Sequence, residues 1–398
     1  MIEQLQEKQR KLIHITKNIS YKRKEFDFIN SDERLIALIG ARGVGKTTLL
    51  LQYLSAFTLE EALYFSADDI SIASVGIIQI VEEFYKLGGR IVVIDEIHMF
   101  KQWAAHIKNI YDFYPDLTVR ISGSSMLNIL MQSHDLSRRI IVKELKELNF
   151  KEYFELKHNI VLPNISLDTI LTNHNAISFE LVEQYPKLYK EFKNYLKIGA
   201  YPFFITSKDG ESFSSKLFNS IEKIIYEDIP STNKIKFENL SIFKKIIYKV
   251  LVSRVPFQVK IDTLAKDLGI SEPTLYTYLA VLDKTGIFRP LKKYSTKQSK
   301  KPEKIFFRNT NILYTLCDDQ KLTTDIGTIR ETFFVNCFED IFYSNIGDFR
   351  VGNTIYEVGG KNKKFSQIKG VKNSYLAIDI DTTINKNKIP LWMFGLVI

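Results

Sequence analysis

Residues 40–48 read GARGVGKTT and hold the residue types from which proteins build a phosphate site. They fit the Walker A pattern G-x-x-x-x-G-K-[ST] at Gly40, Gly45, Lys46 and Thr47. The glycines let the backbone approach an anion, so that successive N–H groups and the next helix N-terminus point at it. The lysine would reach the β and γ phosphates, and the threonine hydroxyl would sit on Mg²⁺. The predicted nucleotide-binding residues are Gly40, Ala41, Arg42, Gly43, Val44, Gly45, Lys46, Thr47 and Thr48.

A second motif further along the chain supplies carboxylates. Residues 90–100 read RIVVIDEIHMF, a short apolar run typical of a strand buried on both faces, which ends in two acids. This is a Walker B strand. Asp95 is predicted to hold the Mg²⁺ shell together with Thr47, and Glu96 is predicted to orient and deprotonate the attacking water.

Two weaker signals follow the next strand-like run, residues 117–122. Ser122 or Ser124 is a candidate sensor of the γ-phosphate or of the water, and an ordinary Gly/Ser turn is the alternative. Arg138 and Arg139 stand before another strand-like run. Either arginine could reach the γ-phosphate of its own or of a neighbouring subunit, and a solvated basic pair is the alternative.

The elements that must position these residues alternate between strands and helices. Strands are predicted at residues 35–39, 62–66, 90–94 and 117–122, and helices at residues 46–57, 77–87 and 103–113. Such alternation predicts a parallel, doubly wound sheet that binds ligands at the carboxyl ends of its strands. The predicted fold class is therefore α/β, a P-loop NTPase sheet with helices on both faces. A helical region, a winged helix and a small α+β nuclease-like domain are predicted to follow it.

Length and composition set limits on the class of protein. The chain has 398 residues, which predicts two or three domains, and 45% hydrophobic with 25% charged residues is ordinary for a folded protein. The 55 basic against 46 acidic residues permit an anionic partner without requiring one. Two cysteines, no apolar run of membrane-spanning length and no signal-peptide core favour a cytoplasmic protein with no membrane partner.

The motifs together resemble a known family. The stretches GARGVGKTTLLLQYL, VIDEIHMFKQW, ISGSSMLNI and DLSRRIIVKELKELNFKEYFEL are similar to prokaryotic AAA-type ATPases of the AAA_14 family, which carry a C-terminal DUF4143 domain. The family pattern has glutamine, threonine and glycine where this chain has His98, Ser122 and Arg138. The resemblance implies ATP and Mg²⁺ as cofactors and favours Arg139 as the nucleotide-sensing arginine. A guanine-selective N-K-x-D motif does not occur, which also favours adenine.

Residues 261–288 predict a helix-turn-helix, with Gly269 at the turn and Ser271 as the N-cap of the second helix. The segment after it resembles the basic wing of a winged helix. Its basic residues are Arg289, Lys292, Lys293, Lys297, Lys300, Lys301, Lys304 and Arg308. DNA binding through this wing and through Thr274, Tyr276 and Thr277 is one interpretation. A winged helix used for packing or dimerisation is the other.

The last portion reads α+β, with a helix predicted over residues 327–342. In DUF4143 proteins this region resembles a PD-(D/E)XK nuclease core, which would here use Glu331, Asp348, Glu357 and Lys361. Gly359, however, stands where the E-x-K pattern puts its lysine. A shift of two residues along a strand moves the ammonium by roughly 7 Å. The sequence therefore predicts a vestigial site, nuclease-like in shape and inactive in chemistry.

Five segments and three functions follow from these patterns. The segments are an N-terminal helix (1–30), an ATPase core (31–160), a helical lid or connecting region (161–235), a winged-helix module (236–305) and a DUF4143-like domain (306–398). The favoured function is an ATPase whose nucleotide cycle drives a conformational change on nucleic acid or on a protein partner. The alternatives are a slow ATP-dependent switch and an ATP-regulated DNA nuclease. Assembly into a homo-oligomer stays open.

Overall fold

The computed structural model describes residues 1–124, 136, 138–232, 235, 237–253, 257–258, 260–294 and 302–397. The chain forms two compact units, Met1–Glu147 and Leu148–Ile398. The boundary comes earlier than residue 160, the predicted end of the ATPase core. No helix in the described ranges has both the length and the apolar character needed to cross a bilayer.

The first unit alternates strands and helices around one sheet. Its strands are β1 (Leu35–Ile39), β2 (Ala62–Ser66), β3 (Ile91–Asp95), β4 (Thr118–Gly123) and β5 (Ile141–Glu144). Its helices are α1 (Ile2–Thr16), α2 (Glu25–Ile29), α3 (Lys46–Leu54), α4 (Ile70–Val75), α5 (Ile77–Lys86) and α6 (Trp103–Phe113), with a 3₁₀ turn at Ile97–Met99. The strand order is β2-β3-β4-β1-β5, and all neighbouring strands are parallel. This sheet confirms the predicted fold class.

The apolar strand runs are explained by burial on both faces. Every residue of β1 is buried, and so are four of the five residues of β2 and of β3. Helices cover both faces of a parallel sheet, so its inner strands need no polar side. Because β4 lies between β1 and β3, the carboxyl ends of these three strands meet at one edge of the sheet.

The N-terminal segment forms two helices where one was predicted, and its inward face also differs. Helical spacing predicts Ile15 on an inner stripe with Leu5 and Leu12, yet Ile15 is 68% exposed, whereas the polar Gln9 is fully buried. Gln9 Nε2 donates to the Ala62 carbonyl oxygen at 3.0 Å, and Gln9 Oε1 accepts the Tyr64 N–H at 2.8 Å. The side chain thus pairs with the backbone of β2, which is an edge strand. Apolar periodicity carries no information about such a contact.

A Gln9→Ala substitution is expected to lower the free energy of unfolding of the first unit by about 2 kcal/mol, because it leaves two buried backbone groups without partners. Urea unfolding can be followed by Trp103 fluorescence in a Trp392→Phe background, since the chain has two tryptophans. Gln4→Ala, at an exposed position of the same helix, is the matched control. Equal midpoints for both variants would contradict the role given to Gln9.

The second unit combines helices with two sheets. Its helices are α7 (Phe150–His158), α8 (Leu167–Gln184), α9 (Leu188–Ile198), α10 (Gly210–Lys223), a π-helical turn (Ile224–Asp228), α11 (Ile229–Thr232), α12 (Leu240–Val252), α13 (Ile261–Leu268), α14 (Glu272–Lys284), α15 (Thr310–Asp319) and α16 (Ile326–Asn336). Short 3₁₀ turns lie at Pro202–Phe204, Phe237–Asn239, Phe365–Gln367 and Leu391–Leu396. Its strands are β6 (Phe257–Gln258), β7 (Phe288–Leu291), β8 (Lys304–Phe307), β9 (Ile341–Tyr343), β10 (Phe349–Val351), β11 (Thr354–Gly360), β12 (Ser374–Asp379) and β13 (Lys388–Pro390).

The smaller sheet is antiparallel and has the strand order β6-β8-β7. In the chain, β6 precedes α13 and α14, and β7 and β8 follow them. Gly269 ends α13 with a left-handed φ of 66°, and the Ser271 side chain accepts the Thr274 N–H as the N-cap of α14. These are the predicted turn and cap of the helix-turn-helix.

The basic residues expected in the wing are partly engaged inside the unit. Arg289 Nη2 donates to the carbonyl oxygens of Phe338 (2.6 Å) and Glu339 (2.8 Å). The chain just after β7 pairs with β9, where the Tyr343 N–H donates to the Lys292 carbonyl oxygen at 2.8 Å. Lys292 and Lys293 are exposed. Lys297, Lys300 and Lys301 lie outside the described residues.

The larger sheet has the order β13-β12-β11-β10-β9, in which β9, β10 and β11 are antiparallel and β11, β12 and β13 are parallel. The helix predicted over residues 327–342 ends at Asn336, because the apolar residues Ile341–Tyr343 pair with β10 as a strand. Sheet pairing here overrides a helical apolar pattern.

Candidate nucleotide site

The loop between β1 and α3 has the geometry of a phosphate cradle. Gly43 and Gly45 have backbone φ values of 83° and 100°, which residues with a side chain rarely adopt. A Cβ on Gly40 would lie 2.2 Å from the Leu145 carbonyl oxygen, so this position has no room for a side chain. Lys46, buried at the start of α3, donates through Nζ to the Gly40 and Ala41 carbonyl oxygens at 2.9 and 3.0 Å. The loop thus holds the lysine against its own backbone.

Asp95 ends β3 and collects hydroxyl groups from three elements. The Thr47 hydroxyl, at the start of α3, donates to Asp95 Oδ2 at 2.6 Å, and the Tyr64 hydroxyl, on β2, donates to the same oxygen at 3.0 Å. The Ser122 hydroxyl, at the end of β4, donates to Asp95 Oδ1. The structure therefore brings together three residues predicted to share this site, Thr47, Asp95 and Ser122.

Tyr64 was missed by the sequence reasoning, which treated it only as part of an apolar strand. Burial raises the pKa of its hydroxyl, and the charge and hydrogen bond of Asp95 raise the pKa further. The group therefore stays a neutral donor toward the carboxylate. A single hydroxyl within the otherwise apolar run ALYF was the available signal.

The Thr47 hydroxyl and the Asp95 carboxylate are hard oxygen donors, 2.6 Å apart at the end of the loop. Mg²⁺ takes such ligands, usually one or two from the protein and the others from water and phosphate oxygens. The donor set therefore fits Mg²⁺ bound together with a nucleotide. Thr47 and Asp95 are the residues that would hold the ion.

Glu96 follows Asp95 in a left-handed backbone conformation with φ of 48°. Its carboxylate turns to a different set of partners: the Ser124 hydroxyl donates to Glu96 Oε2 at 3.1 Å, and His98 Nδ1 lies 3.3 Å from the same oxygen. The side chains of the two acids of the motif thus contact different residues.

Arg23, which no motif indicated, lies against the phosphate loop. Its Nη1 donates to the Lys146 carbonyl oxygen at 2.6 Å and contacts the Val44 carbonyl oxygen at 3.4 Å. Only 9% of Arg23 is exposed. The residue ties the middle of the loop to the last residues of the first unit, and only the folded chain brings these segments together.

Arg139 lies away from the phosphate loop of its own chain. Its Nε and Nη2 donate to the Asp112 carboxylate at 2.8 and 3.0 Å, and Arg138 and Arg139 share a small cleft with Arg34, at the amino-terminal edge of the sheet. The loop follows the opposite end of β1, and a five-residue strand spans roughly 15 Å. The structure thus does not place Arg139 in the charge cage of its own site.

The predicted acids of the second unit gather around the middle of β11. Glu357 on β11 is fully buried, and its Oε2 has no hydrogen-bond partner among the described residues. Asp348 Oδ2 accepts the backbone N–H of Val358, the residue after Glu357, at 2.8 Å. Glu331 on α16 has Lys304 Nζ 3.9 Å from its Oε2. Across the described part of the chain, no three or more His, Cys, Asp or Glu side chains form a group that could hold a metal ion.

The lysine of this cluster is Lys363 and not the predicted Lys361. Lys363 Nζ lies 2.9 Å from Glu357 Oε1, whereas Lys361 is exposed. A Cβ on Gly359 would lie 2.7 Å from Cγ and Cδ of Lys363, so the lysine stem occupies the space that a side chain at 359 would take. The turn after β11, with the Lys363 N–H on the Gly360 carbonyl oxygen at 2.9 Å, folds the lysine back.

Burial, and next the negative charge of Asp348, raise the pKa of Glu331 from 4.5 to about 7. A group whose pKa is raised by folding stabilises the protein fully below its unfolded pKa, and this contribution is lost as the pH rises through the folded value. As the pH rises from 4.5 to 7, the free energy of unfolding of the wild type should therefore fall by about 3 kcal/mol. Glu331→Gln, which has no carboxyl group at this position, should not show this loss.

The measurement is urea unfolding of both proteins at several pH values, followed by Trp392 fluorescence in a Trp103→Phe background. Glu180→Gln, at an exposed helical position, is the matched control and should track the wild type. Parallel stability curves for wild type and Glu331→Gln would contradict the raised pKa.

The fold and this site define the class of the first unit: an α/β domain with a parallel sheet and a P-loop. Residues 32–154 match the family AAA_14, described as an AAA domain. Residues 189–323 match DUF8612, a domain of unknown function. The predicted DUF4143 domain is therefore not confirmed, and the second match belongs to a different family of domains.

Among curated proteins, the chain is 30% identical over 305 residues to the uncharacterized protein MJ1637 of Methanocaldococcus jannaschii. The match covers 72% of this chain and 63% of the length of that relative. Similar solved structures include AMPPCP-bound DnaA from Aquifex aeolicus, at 15% identity and TM-score 0.29, covering 68% of this chain and 86% of DnaA. Another is the ADP complex of Hsp104 from S. cerevisiae, at 14% identity and TM-score 0.27, covering 83% and 53%.

Proposed function

We propose that the first unit binds Mg-ATP and hydrolyses it, and that this cycle drives a conformational change on nucleic acid or on a protein partner. The observation that carries the proposal is the contact of 2.6 Å between the Thr47 hydroxyl and Asp95, because it joins the phosphate loop to the carboxylate strand. The match to an AAA domain supports ATP as the nucleotide.

In the proposed reaction, Lys46 leaves the loop carbonyl oxygens and binds the β and γ phosphates, while Thr47 and Asp95 hold Mg²⁺. Glu96 takes a proton from the attacking water, whose oxygen bonds to the γ-phosphorus as the bond from that phosphorus to the β–γ bridging oxygen breaks and ADP leaves with the bonding electron pair. Ser122, which donates to Asp95, orients that carboxylate. We assign Arg139 to the γ-phosphate of a neighbouring copy, because it lies at the far edge of its own sheet. This role requires a homo-oligomer.

The proposed nucleic-acid partner is supported by the order of elements around α13 and α14, which is that of a winged helix: helix, strand, two helices and two further strands. Thr274, Tyr276 and Thr277 on α14 are exposed or half-buried and can contact phosphates. Arg289 and Lys304 have partners inside the unit and contribute less than the sequence indicated.

The testing experiment is steady-state ATP hydrolysis by the purified chain with Mg²⁺, alone and with single- or double-stranded DNA, with the DNA checked for cleavage in the same tubes. Hydrolysis that DNA stimulates is the expected result. Hydrolysis that DNA does not stimulate would indicate a protein, and not DNA, as the partner of the nucleotide cycle. ATP binding without hydrolysis would leave the slow ATP-dependent switch as the function.

A second candidate function is phosphodiester hydrolysis in the second unit, and the position of Lys363 is the observation that favours it. The expectation of an inactive site rested on Lys361, which lies too far along the chain. Lys363 fills the space above Gly359 instead and pairs with Glu357. Glu357 and Asp348 could hold one Mg²⁺, with its other ligands from water and phosphate.

This candidate predicts Mg²⁺-dependent cleavage of DNA that both Asp348→Ala and Lys363→Ala abolish. Lys361→Ala is the matched control, because its ammonium is exposed and two residues away, and it should cleave like the wild type. Intact DNA after incubation of the wild type with Mg²⁺ would remove the nuclease function and leave a structural ion pair.

A further inference from the structure

His98 contacts the catalytic carboxylate of the proposed ATPase, although no motif assigns it a role. Its Nδ1 lies 3.3 Å from Glu96 Oε2, and its side chain is only 1% exposed. The Ser124 hydroxyl donates to the same carboxylate oxygen at 3.1 Å. Glu96 is thus hydrogen-bonded to Ser124 and in close contact with His98, two residues that come from different elements.

The backbone brings this histidine to the carboxylate. Glu96 adopts a left-handed conformation, and its carbonyl oxygen accepts the Met99 N–H at 2.9 Å. This bond closes the 3₁₀ turn Ile97–Met99, in which the residue two positions after Glu96 faces back toward it. Left-handed backbone is unfavourable for a residue with a side chain, so the surrounding structure must impose the turn. Positive φ at such a position often accompanies a functional constraint.

Both ring nitrogens of His98 face the same cluster, since Nε2 lies 3.5 Å from Ser124 Oγ. With the proton on Nε2, the ring donates to the Ser124 hydroxyl, which in turn donates its own proton to Glu96 Oε2. These contacts restrain Glu96 Oε2. Oε1, which has no hydrogen bond from the described residues, is then the oxygen that takes the proton of the attacking water.

We propose that His98 is a positioning residue for ATP hydrolysis, which orients the Glu96 carboxylate toward the attacking water. The inference rests on the proposed ATPase function and adds a residue to its machinery. Because His98 acts through Glu96 and not on the nucleotide, its loss should slow turnover and leave ATP binding intact. A displaced general base costs rate without costing substrate affinity.

The test compares His98→Leu, which removes both ring nitrogens, with His98→Gln, which keeps an amide donor. His98→Leu is expected to lower kcat roughly 10- to 100-fold, with the Kd for an ATP analogue within about twofold of the wild type. His98→Gln should recover most of the lost kcat. An unchanged kcat in His98→Leu would overturn the proposal. So would an equal loss of kcat and of ATP binding in both variants, which indicates packing alone.

A double-substitution cycle separates this inference from the function on which it rests. If His98 acts through Glu96, Glu96→Gln with His98→Leu should turn over no more slowly than Glu96→Gln alone in single-turnover assays. Additive losses would show that His98 acts elsewhere and overturn the proposal, while wild-type turnover would still support the ATPase. Absence of turnover in the wild type would overturn both.

Discussion

Replacing Glu96 with glutamine is expected to lower kcat for ATP hydrolysis about 1,000-fold while the Kd for Mg-ATP changes by less than about threefold. The amide has the size of the carboxylate but cannot take the proton of the attacking water. Asp95, the proposed Mg²⁺ ligand, has its own hydroxyl partners and is untouched by the change. Binding and turnover should therefore separate in this one variant.

The measurement pairs steady-state phosphate release with equilibrium binding of a fluorescent ATP analogue. Glu83→Gln, a conservative change on α5 away from the site, is the matched control and should behave like the wild type. Unchanged hydrolysis in Glu96→Gln would remove the general base from the mechanism and leave ATP as a bound ligand. Loss of both binding and turnover would assign Glu96 a structural role.

Replacing Lys46 with alanine is expected to remove binding and turnover together, with kcat/KM lowered more than about 1,000-fold. Lys46 is buried, and its ammonium group donates hydrogen bonds to the Gly40 and Ala41 carbonyl oxygens. The phosphates of a bound nucleotide would replace these oxygens as its partners. Without it, only the backbone N–H groups and Mg²⁺ would balance the negative charge of the β and γ phosphates. Hydrogen bonds in which the donor or the acceptor is charged are stronger than those between neutral groups.

Lys86→Ala provides the control, because Lys86 is an exposed lysine that pairs with Glu82 on the surface of α5. It should bind and hydrolyse ATP like the wild type. A Lys46→Ala protein that is folded, by its Trp103 fluorescence, and still binds the ATP analogue at wild-type affinity would show that the loop is not the nucleotide site.

The two variants also discriminate between the functions that the site supports. An ATPase requires both residues for turnover, whereas a slow switch requires Lys46 for its response to ATP and is indifferent to Glu96. DNA cleavage by the second unit would survive both changes unless ATP regulates it. The pattern of the two variants, taken with the assay on DNA, therefore selects among the three.

The geometry of the candidate nucleotide site was predictable from sequence because its parts are local. The phosphate cradle consists of consecutive residues, and the predicted strand Leu35–Ile39 has the observed bounds. The carboxylate follows a buried strand, so its position at the edge of the sheet follows from the parallel arrangement. The same rule placed Ser122, because it lies near the carboxyl end of β4, the strand between β1 and β3.

Other residues could not be placed, because their neighbours come from distant parts of the chain. Arg139 matched a family pattern, yet its location at the amino-terminal edge depends on how the chain enters β5. Gln9 is buried in a position where helical periodicity predicts an apolar residue, since it pairs with an edge strand more than fifty residues away. Lys363 reaches Glu357 through a turn that the strand register alone does not reveal.

By itself the sequence determined the P-loop class of the first unit and its alternating parallel sheet, and it predicted the residues that would surround the phosphates and Mg²⁺. It did so because short motifs and apolar runs encode backbone geometry and burial within a few residues. Only the tertiary structure decided which hydroxyls meet Asp95, that His98 and Ser124 share Glu96, and which lysine meets Glu357. Those choices depend on side chains approaching across elements, which the order of residues along the chain does not specify.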